Sequence, residues 1–529
     1  MEIILDPISR VEGHMRVLLK TEKGIVKEAR CSSTLFRGFE KVLVNQEPRK
    51  AACSTTRICG FCPTSHAFAG AGALDQLHGV TSLPSDALLA RNIIQGFDFI
   101  SNHITHLYML WFPDLVNPAY SGIIEKNLWD ELILRFPPPA YRIHNRHIQP
   151  GKSYLKTLQA RKMGQEAIRE LAGGEIRPFP GGIDIKPGEN CASILKERHN
   201  KIMTCLSSML GIPWKEWIEN TYLTNPRSAV RYLLDLNKKD FFTMGDIGLF
   251  AVIGAELAGR DDNLMLDKCG CHEENFLSSG AFNENGKMIF RQGFMSSDLE
   301  YLPFDIKKIT ENNASSFYSG NESHPFEGRT EPLPANEIVY GEKYTWVKAP
   351  RYDGRVCEVG SLARLLIAEE PLITGLAKEF KKRKLPVASV YMRLIARIQE
   401  MLVAGYLLEG WINEFDPKGI FIRQPEKLMN TRGFGVWEAP RGSLGHWITQ
   451  KDGVVSNYQI ITPTTWNVSP GGVMEKSLEG SPVCAFGNKY GIDCSNPITA
   501  LHIVRSFDPC NGCAVHVLDS SGTYQIQVC

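Results

Sequence analysis

The sequence predicts a mainly helical protein folded as one large unit around a buried metal site, with small β-sheet regions near its beginning and in its middle. Three observations lead there: apolar residues at helical spacing over several long stretches, a Gly-, Asn-, Ser- and aromatic-rich stretch between about residues 264 and 345, and two Cys-x-x-Cys pairs near opposite ends of the chain. The opening, Ile3 to Glu28, mixes apolar and polar residues around Val17-Leu18-Leu19 and Gly24-Ile25-Val26 and reads as a small sheet. Helical spacing then runs over Leu88 to Leu110, Tyr154 to Leu171, Leu195 to Leu210 and Pro371 to Leu408, the last divided by Pro386, whose ring and missing N–H interrupt a helix. From about 264 to 345, turn signals such as Asn283-Glu284-Asn285-Gly286 mark strands and loops, expected as a peripheral β-rich insertion. No repeat or low-complexity tract interrupts the chain, and Pro470-Gly471-Gly472 reads as a turn, so residues 1–516 are expected as a single interwoven domain.

A length of 529 residues would ordinarily allow two or three domains, but candidate ligands at both ends bind the chain into one unit. The formal net charge is +1 and no long Lys/Arg block occurs, so no nucleic-acid or anionic-membrane surface is expected. The start, Met1-Glu2-Ile3-Ile4-Leu5-Asp6, lacks a basic segment followed by an apolar core, and no apolar run is long enough for a direct membrane span. The chain alone reads as cytoplasmic, although a signal-bearing partner could carry it folded to the periplasm or a membrane. Fourteen cysteines are sparse for a disulfide scaffold of this length, so reduced thiols are expected.

The chemistry concentrates in Cys59-Gly60-Phe61-Cys62 and Cys510-Asn511-Gly512-Cys513, the latter followed closely by His516. Four thiolates form a soft donor set suited to zinc, iron or nickel. A structural zinc site is the commonest use of such pairs, but zinc ribbons close a local loop, whereas here several hundred residues intervene. Cys269-Gly270-Cys271-His272 has no second pair and reads as free cysteines in a turn; Cys31, Cys53, Cys191, Cys205, Cys357, Cys484 and Cys494 are scattered and read as small core residues. No C-x2-C-x2-C run is present, so an iron-sulfur cluster held by this chain is not expected.

The surroundings of the pairs are specific. Thr56-Arg57-Ile58-Cys59-Gly60-Phe61-Cys62-Pro63-Thr64-Ser65-His66 and Asp508-Pro509-Cys510-Asn511-Gly512-Cys513-Ala514-Val515-His516 are joined by Asp6-Pro7-Ile8-Ser9-Arg10-Val11-Glu12-Gly13-His14, Arg37-Gly38-Phe39-Glu40, Pro350-Arg351-Tyr352, Glu358-Val359-Gly360-Ser361-Leu362-Ala363-Arg364, Ala439-Pro440-Arg441-Gly442 and Pro463-Thr464-Thr465-Trp466-Asn467. Taken in chain order from residue 6 to residue 516, over essentially the whole chain, they resemble the large subunit of a NiFe-hydrogenase. The resemblance implies the multihelical large-subunit fold and reversible heterolytic cleavage of H2. Cys59 and Cys510 would be terminal on nickel, and Cys62 and Cys513 would bridge to an iron carrying CO and cyanide. Cys510 would accept the first proton and Glu12 relay it, where an ion pair with Arg10 is the plainer reading of Glu12. Arg441 would lie over the open metal position beside a cyanide, with Asp508 holding it, and Thr464 would bond the second cyanide, its plainer role being a turn residue after Pro463. Glu40, His516 and the Ile460 carbonyl would take magnesium or a similar hard ion. His66 and His103 would be donors around the metals, or ordinary satisfied core histidines.

The sequence departs from the family pattern at Ser101-Asn102-His103, where many relatives have an acidic residue or Gln before the His, and at Pro178-Phe179-Pro180-Gly181-Gly182, where a His is frequent. The resemblance also implies partners: an iron-sulfur small subunit, a nickel-insertion chaperone, and a maturation endopeptidase that removes residues 517–529. The rivals are an H2-sensing regulatory subunit with negligible turnover and a quinone-chamber subunit, the latter opposed by the presence of all four cysteines.

Overall fold

In a computed structural model of the chain, the first residues alternate between core and solvent and form an antiparallel sheet in the order β1 (Glu2–Leu5), β2 (Met15–Glu22), β3 (Ile25–Ser33). Period-two burial explains it: Met15, Val17 and Leu19 on one face of β2 are fully buried while Lys20 and Glu22 are exposed. Residues 1–117, 120, 124–136, 151–174, 176–234, 245–260, 268–284, 286–339, 341–423, 425, 427–483 and 497–514 are described. His516, the 517–529 extension, Asn285, Cys484 and Cys494 lie outside them.

Four long helices follow. Helix α1 (Pro63–Leu77) starts on the residue after Cys62, with Pro63 at a first-turn position where its missing N–H costs nothing. Helix α2 (Ser85–Thr105) continues as a π-helical segment, His106–Trp111, and is buried on nearly every side from Ala90 onward. Helix α3 (Lys152–Ala172) packs beside it and α4 (Cys191–Leu210) packs against α3; the two end on the left-handed glycines Gly173 and Gly211.

The next strands are β4 (Asn275–Ser278), β5 (Gly293–Met295), β6 (Tyr301–Leu302) and, after a long excursion, β7 (Cys357–Glu358), in the order β7-β4-β5-β6. The strands and loops expected between 264 and 345 are therefore there, but the stretch is not wholly peripheral. Phe276, Leu277 and Phe282 are buried, and the Phe282 ring stands 5.3 Å from that of Phe99 on α2, because apolar side chains on short strands find burial only against the helices.

Helices α5 (Ser361–Ile367), α6 (Pro371–Lys382) and α7 (Val390–Glu414) come next. The expected break at Pro386 falls between α6 and α7, where Ser389 caps α7 by accepting the Met392 N–H at 3.3 Å. The antiparallel meander β8 (Arg432–Ala439), β9 (Gly442–Lys451), β10 (Val454–Ile461) leaves Pro440 and Arg441 at a hairpin tip, with Ala439 opposite Gly442. Helices α8 (Pro463–Val468) and α9 (Ile498–Ser506) then lead to the second cysteine pair. None of the described helices is long and apolar enough to cross a membrane.

Helix α1 and strand β8 meet backbone to backbone, which sets the first cysteine pair against the hairpin carrying Arg441. The small residues Ala69, Gly72 and Ala73 permit it: a Cβ on Gly435 would lie 2.0 Å from the Ala69 carbonyl oxygen. Gly435→Ala should therefore force helix and strand apart and cost about 2 kcal/mol or more. The expected result is a clearly lowered melting temperature and reduced metal retention, read by thermal unfolding and metal analysis; unchanged melting would show that the contact can relax.

Candidate metal centre

The two ends of the chain are held together by backbone pairing. Glu12 bridges the second cysteine pair in parallel fashion: its N–H donates to the Pro509 carbonyl at 3.4 Å, and its own carbonyl accepts the Asn511 N–H at 2.7 Å. Gly13 makes this approach possible, and Gly512 leaves the Glu12 carboxylate its place. Gly13 has φ +75° and a Cβ there would meet the Gly512 nitrogen at 2.6 Å, while a Cβ on Gly512 would meet both Glu12 carboxylate oxygens at 2.6 Å. Arg37 reaches both pairs, donating to the carbonyls of Ile58 and of Gly512, the latter at 3.2 Å. Ser33, at the end of β3, donates to Asn511 Oδ1 at 2.6 Å.

This interlock brings the sulfur atoms of Cys59, Cys62, Cys510 and Cys513 within 4.8 Å of one another, all buried. The Cys59–Cys510, Cys62–Cys513 and Cys510–Cys513 separations are each 3.1 Å. Among the described residues this is the only group of three or more Cys, His, Asp or Glu placed to hold one metal ion. The donor set fits a soft transition metal. Burial pushes the Cys510 and Cys513 thiols well up, whereas hydrogen bonding from Cys510 draws Cys59 down, so four thiolates can share this space only with cationic charge among them. Cys271 and Cys269 take no part, and His272 beside them bonds Glu358 at 2.5 Å.

Glu12 points its carboxylate into the cluster. Oε2 accepts from Cys510 Sγ at 3.1 Å and from the Gly512 N–H at 2.8 Å. Burial and the neighbouring Cys59 raise its proton affinity; the bonds from Cys510 and Gly512 and the charge of Arg441 partly oppose this. The ion pair expected as its plainer role is absent: Arg10 pairs with Asp114, which Arg505 also holds at 2.7 Å. Thr464, in the first turn of α8, accepts the Cys510 N–H at 2.8 Å and so does more than shape a turn.

Arg441, at the β8–β9 tip, lies beside the sulfur atoms. Burial opposes its charge, but Asp508 and the thiolates outweigh it and hold it protonated. Its Nη1 donates to Asn102 Oδ1 at 3.0 Å, so the departure at position 102 is a direct contact. Its Nε is 3.1 Å from Asp508 Oδ2 without the alignment of a hydrogen bond, so this pairing is Coulombic. Arg397 of α7 also reaches Asp508 Oδ2, at 3.2 Å.

His66, one turn into α1, shares a hydrogen bond of 3.0 Å with His446 on β9, which shares one of 2.8 Å with the Tyr458 hydroxyl on β10. His103 bonds the Glu400 carboxylate at 2.8 Å, and burial holds its pKa down to about 4. Glu40 accepts the Ile460 N–H at 2.7 Å and faces the Lys348 ammonium at 3.5 Å; Lys348 is also 3.5 Å from Glu311. Phe179, where a His is frequent, lies under the Arg49 guanidinium at 3.9 Å. Sequence reasoning missed Arg397, His446 and Lys348. Only His446 had a signal, being inward-facing on the strand that follows the Arg441 motif.

The family model described as nickel-dependent hydrogenase matches residues 37–126 and 262–516. The periplasmic [NiFeSe] hydrogenase large subunit of Desulfomicrobium baculatum is 27% identical over 98% of this chain and 95% of its own. The Hydrogenase-2 large chain of Escherichia coli (strain K12) is 26% identical over 99% of both, and the uptake hydrogenase large subunit of Rhizobium leguminosarum bv. viciae is 29% identical over 99% and 97%. The solved Ni-Fe-Se hydrogenase of D. vulgaris Hildenborough in the reduced state superposes with a TM-score of 0.75 at 27% identity, covering 98% of this chain and 100% of that one.

Substituting any one of Cys59, Cys62, Cys510 or Cys513 by Ser should abolish nickel retention in the purified protein, whereas Cys205→Ser should leave it unchanged. Elemental analysis of the five proteins decides the matter; nickel surviving loss of one of the four would remove that residue from the donor set.

Proposed function

The chain belongs to the nickel-dependent hydrogenase family and is the catalytic large subunit of a NiFe-hydrogenase, an oxidoreductase that uses H2 and binds nickel and iron; from that premise we propose how its residues serve the reaction. The observation that carries the reading is the buried four-cysteine cluster assembled from both chain ends. When bound there, nickel and an iron carrying CO and cyanide supply the place where H2 is split and its electron pair taken up.

The chain's residues do the rest. Cys59, Cys62, Cys510 and Cys513 would hold the metals, with Cys62 and Cys513 as the ligands the iron would share. The Cys510 thiolate takes each of the two protons in turn, and in a second transfer Glu12, 3.1 Å away, receives it. Burial supports this second transfer by raising the carboxyl's proton affinity, and the Gly512 N–H fixes the accepting oxygen. Arg441 keeps a permanent charge beside the cysteines, and this charge would face the open metal position and a cyanide when the metals are bound. Thr464 accepts from the Cys510 N–H, which leaves its own O–H to donate to the other cyanide.

Glu40 and the Ile460 carbonyl would hold a magnesium or similar ion, with His516, outside the described residues, as the third ligand. Glu40 is buried and carries an oxygen facing Lys348, so the ion would lie beside that ammonium. Electrons leave through a small subunit carrying iron-sulfur clusters, consistent with relatives named as large subunits. A nickel chaperone and an endopeptidase acting before residue 517 belong to the same reading.

The assembled enzyme should contain about one nickel per chain, show CO and cyanide infrared bands, and reduce an artificial acceptor with H2. Bands without turnover would select the H2-sensing form, and zinc without bands would remove the reading. Glu12→Gln should retain nickel yet slow H2/D2 proton exchange by at least ~10-fold; unchanged exchange would take Glu12 out of the relay.

A further inference from the structure

The Asp508 carboxylate, 3% exposed, is contacted by two guanidinium groups on one oxygen. The aligned hydrogen bond comes from Arg397 Nη1 at 3.2 Å, not from Arg441. Arg441 is itself held through Asn102 and stands off Asp508 by charge alone. Arg397, 4% exposed, also donates through Nη2 to the Ser506 carbonyl at 3.4 Å, so it grips the 506–508 turn from helix α7. That turn carries Asp508 in the left-handed region, φ +54°, a conformation the surrounding contacts must impose on a non-glycine residue.

Among the described residues no other guanidinium or ammonium reaches the Asp508 carboxylate; Arg393 of the same helix touches the turn only at Ser506 Oγ, at 3.4 Å. His106 bonds the Arg505 carbonyl at 2.6 Å, and burial holds it neutral, with a pKa of about 3; His103, turned toward Glu400, is neutral in the same way. Arg364 is engaged by Glu400 and Glu438. Without Arg397, Asp508 would face Arg441 alone. The carboxylate would draw the guanidinium onto itself and neutralise it, two residues before Cys510.

We propose that Arg397 is a positioning residue for the metal centre: by holding Asp508 and sharing its charge, it sets the orientation and the effective positive charge that Arg441 presents to the four-cysteine site. The proposal rests on the hydrogenase reading, whose failure would be visible in the unmodified enzyme before any variant is made.

The test uses the assembled enzyme with Arg397→Gln, Arg397→Met, Arg397→Lys, Asp508→Asn and the double variant Arg397→Gln/Asp508→Asn. Nickel content and the CO and cyanide bands are read alongside turnover. Whichever neutral variant retains nickel should show displaced bands and about tenfold lower turnover, Lys should restore most of both, and in the Asp508→Asn background the loss of Arg397 should add little. Unmoved bands in a loaded neutral variant, Lys as damaging as Gln, or fully additive effects with Asp508→Asn would overturn the proposal. Loss of nickel from both neutral variants would overturn it too, assigning Arg397 to folding.

Discussion

Everything in this molecule depends on the pairing of Glu12 and Gly13 with Pro509–Gly512. Two hydrogen bonds and two glycines bring residues almost five hundred positions apart into contact, and the metal donors exist as a set only because of it. The first cysteine pair is fixed from the other side by α1, whose small residues let it lie directly on β8. A site assembled in this way cannot be a local metal-binding loop, and its formation is inseparable from folding of the chain as a whole.

The electrostatics follow from the same enclosure. Four buried thiolates demand positive charge, and metals are the natural source, with Arg441 as the permanent cation beside them. Among the described residues, Glu12 is the one carboxylate that the interlock delivers to the sulfur atoms. Its burial raises its proton affinity while the contact with Cys510 keeps it within reach of a proton, which suits a relay better than a fixed charge. Around Arg441 the surrounding groups are divided: Asn102 is an uncharged acceptor for its Nη1, Asp508 supplies charge, and Arg397 restrains Asp508.

Much of this was legible before any coordinates. The helices obey their apolar period, the break at Pro386 falls between α6 and α7, and the initial sheet follows from alternation, since each is a local property of consecutive residues. The cysteine pairs carried their own spacing. Less visible were contacts made by residues with no motif of their own. Arg397 sits in an ordinary helical repeat, and nothing in its neighbours discloses that it reaches Asp508, 111 positions away. Lys348 likewise meets Glu40 only through the fold. The stretch 264–345 looked peripheral because its composition is turn-rich, yet Phe282 is driven inward by the helices it packs on, a tertiary effect that composition does not encode.

The central claim is that cysteines from both ends of the chain bind one nickel. X-ray absorption at the nickel edge of the assembled, purified enzyme tests it most directly. Sulfur should surround the nickel, with an iron neighbour close by, and the nickel edge itself should vanish when Cys59 or Cys510 is replaced by Ser. A nickel environment dominated by nitrogen and oxygen, or one indifferent to the cysteines of either end, would contradict it.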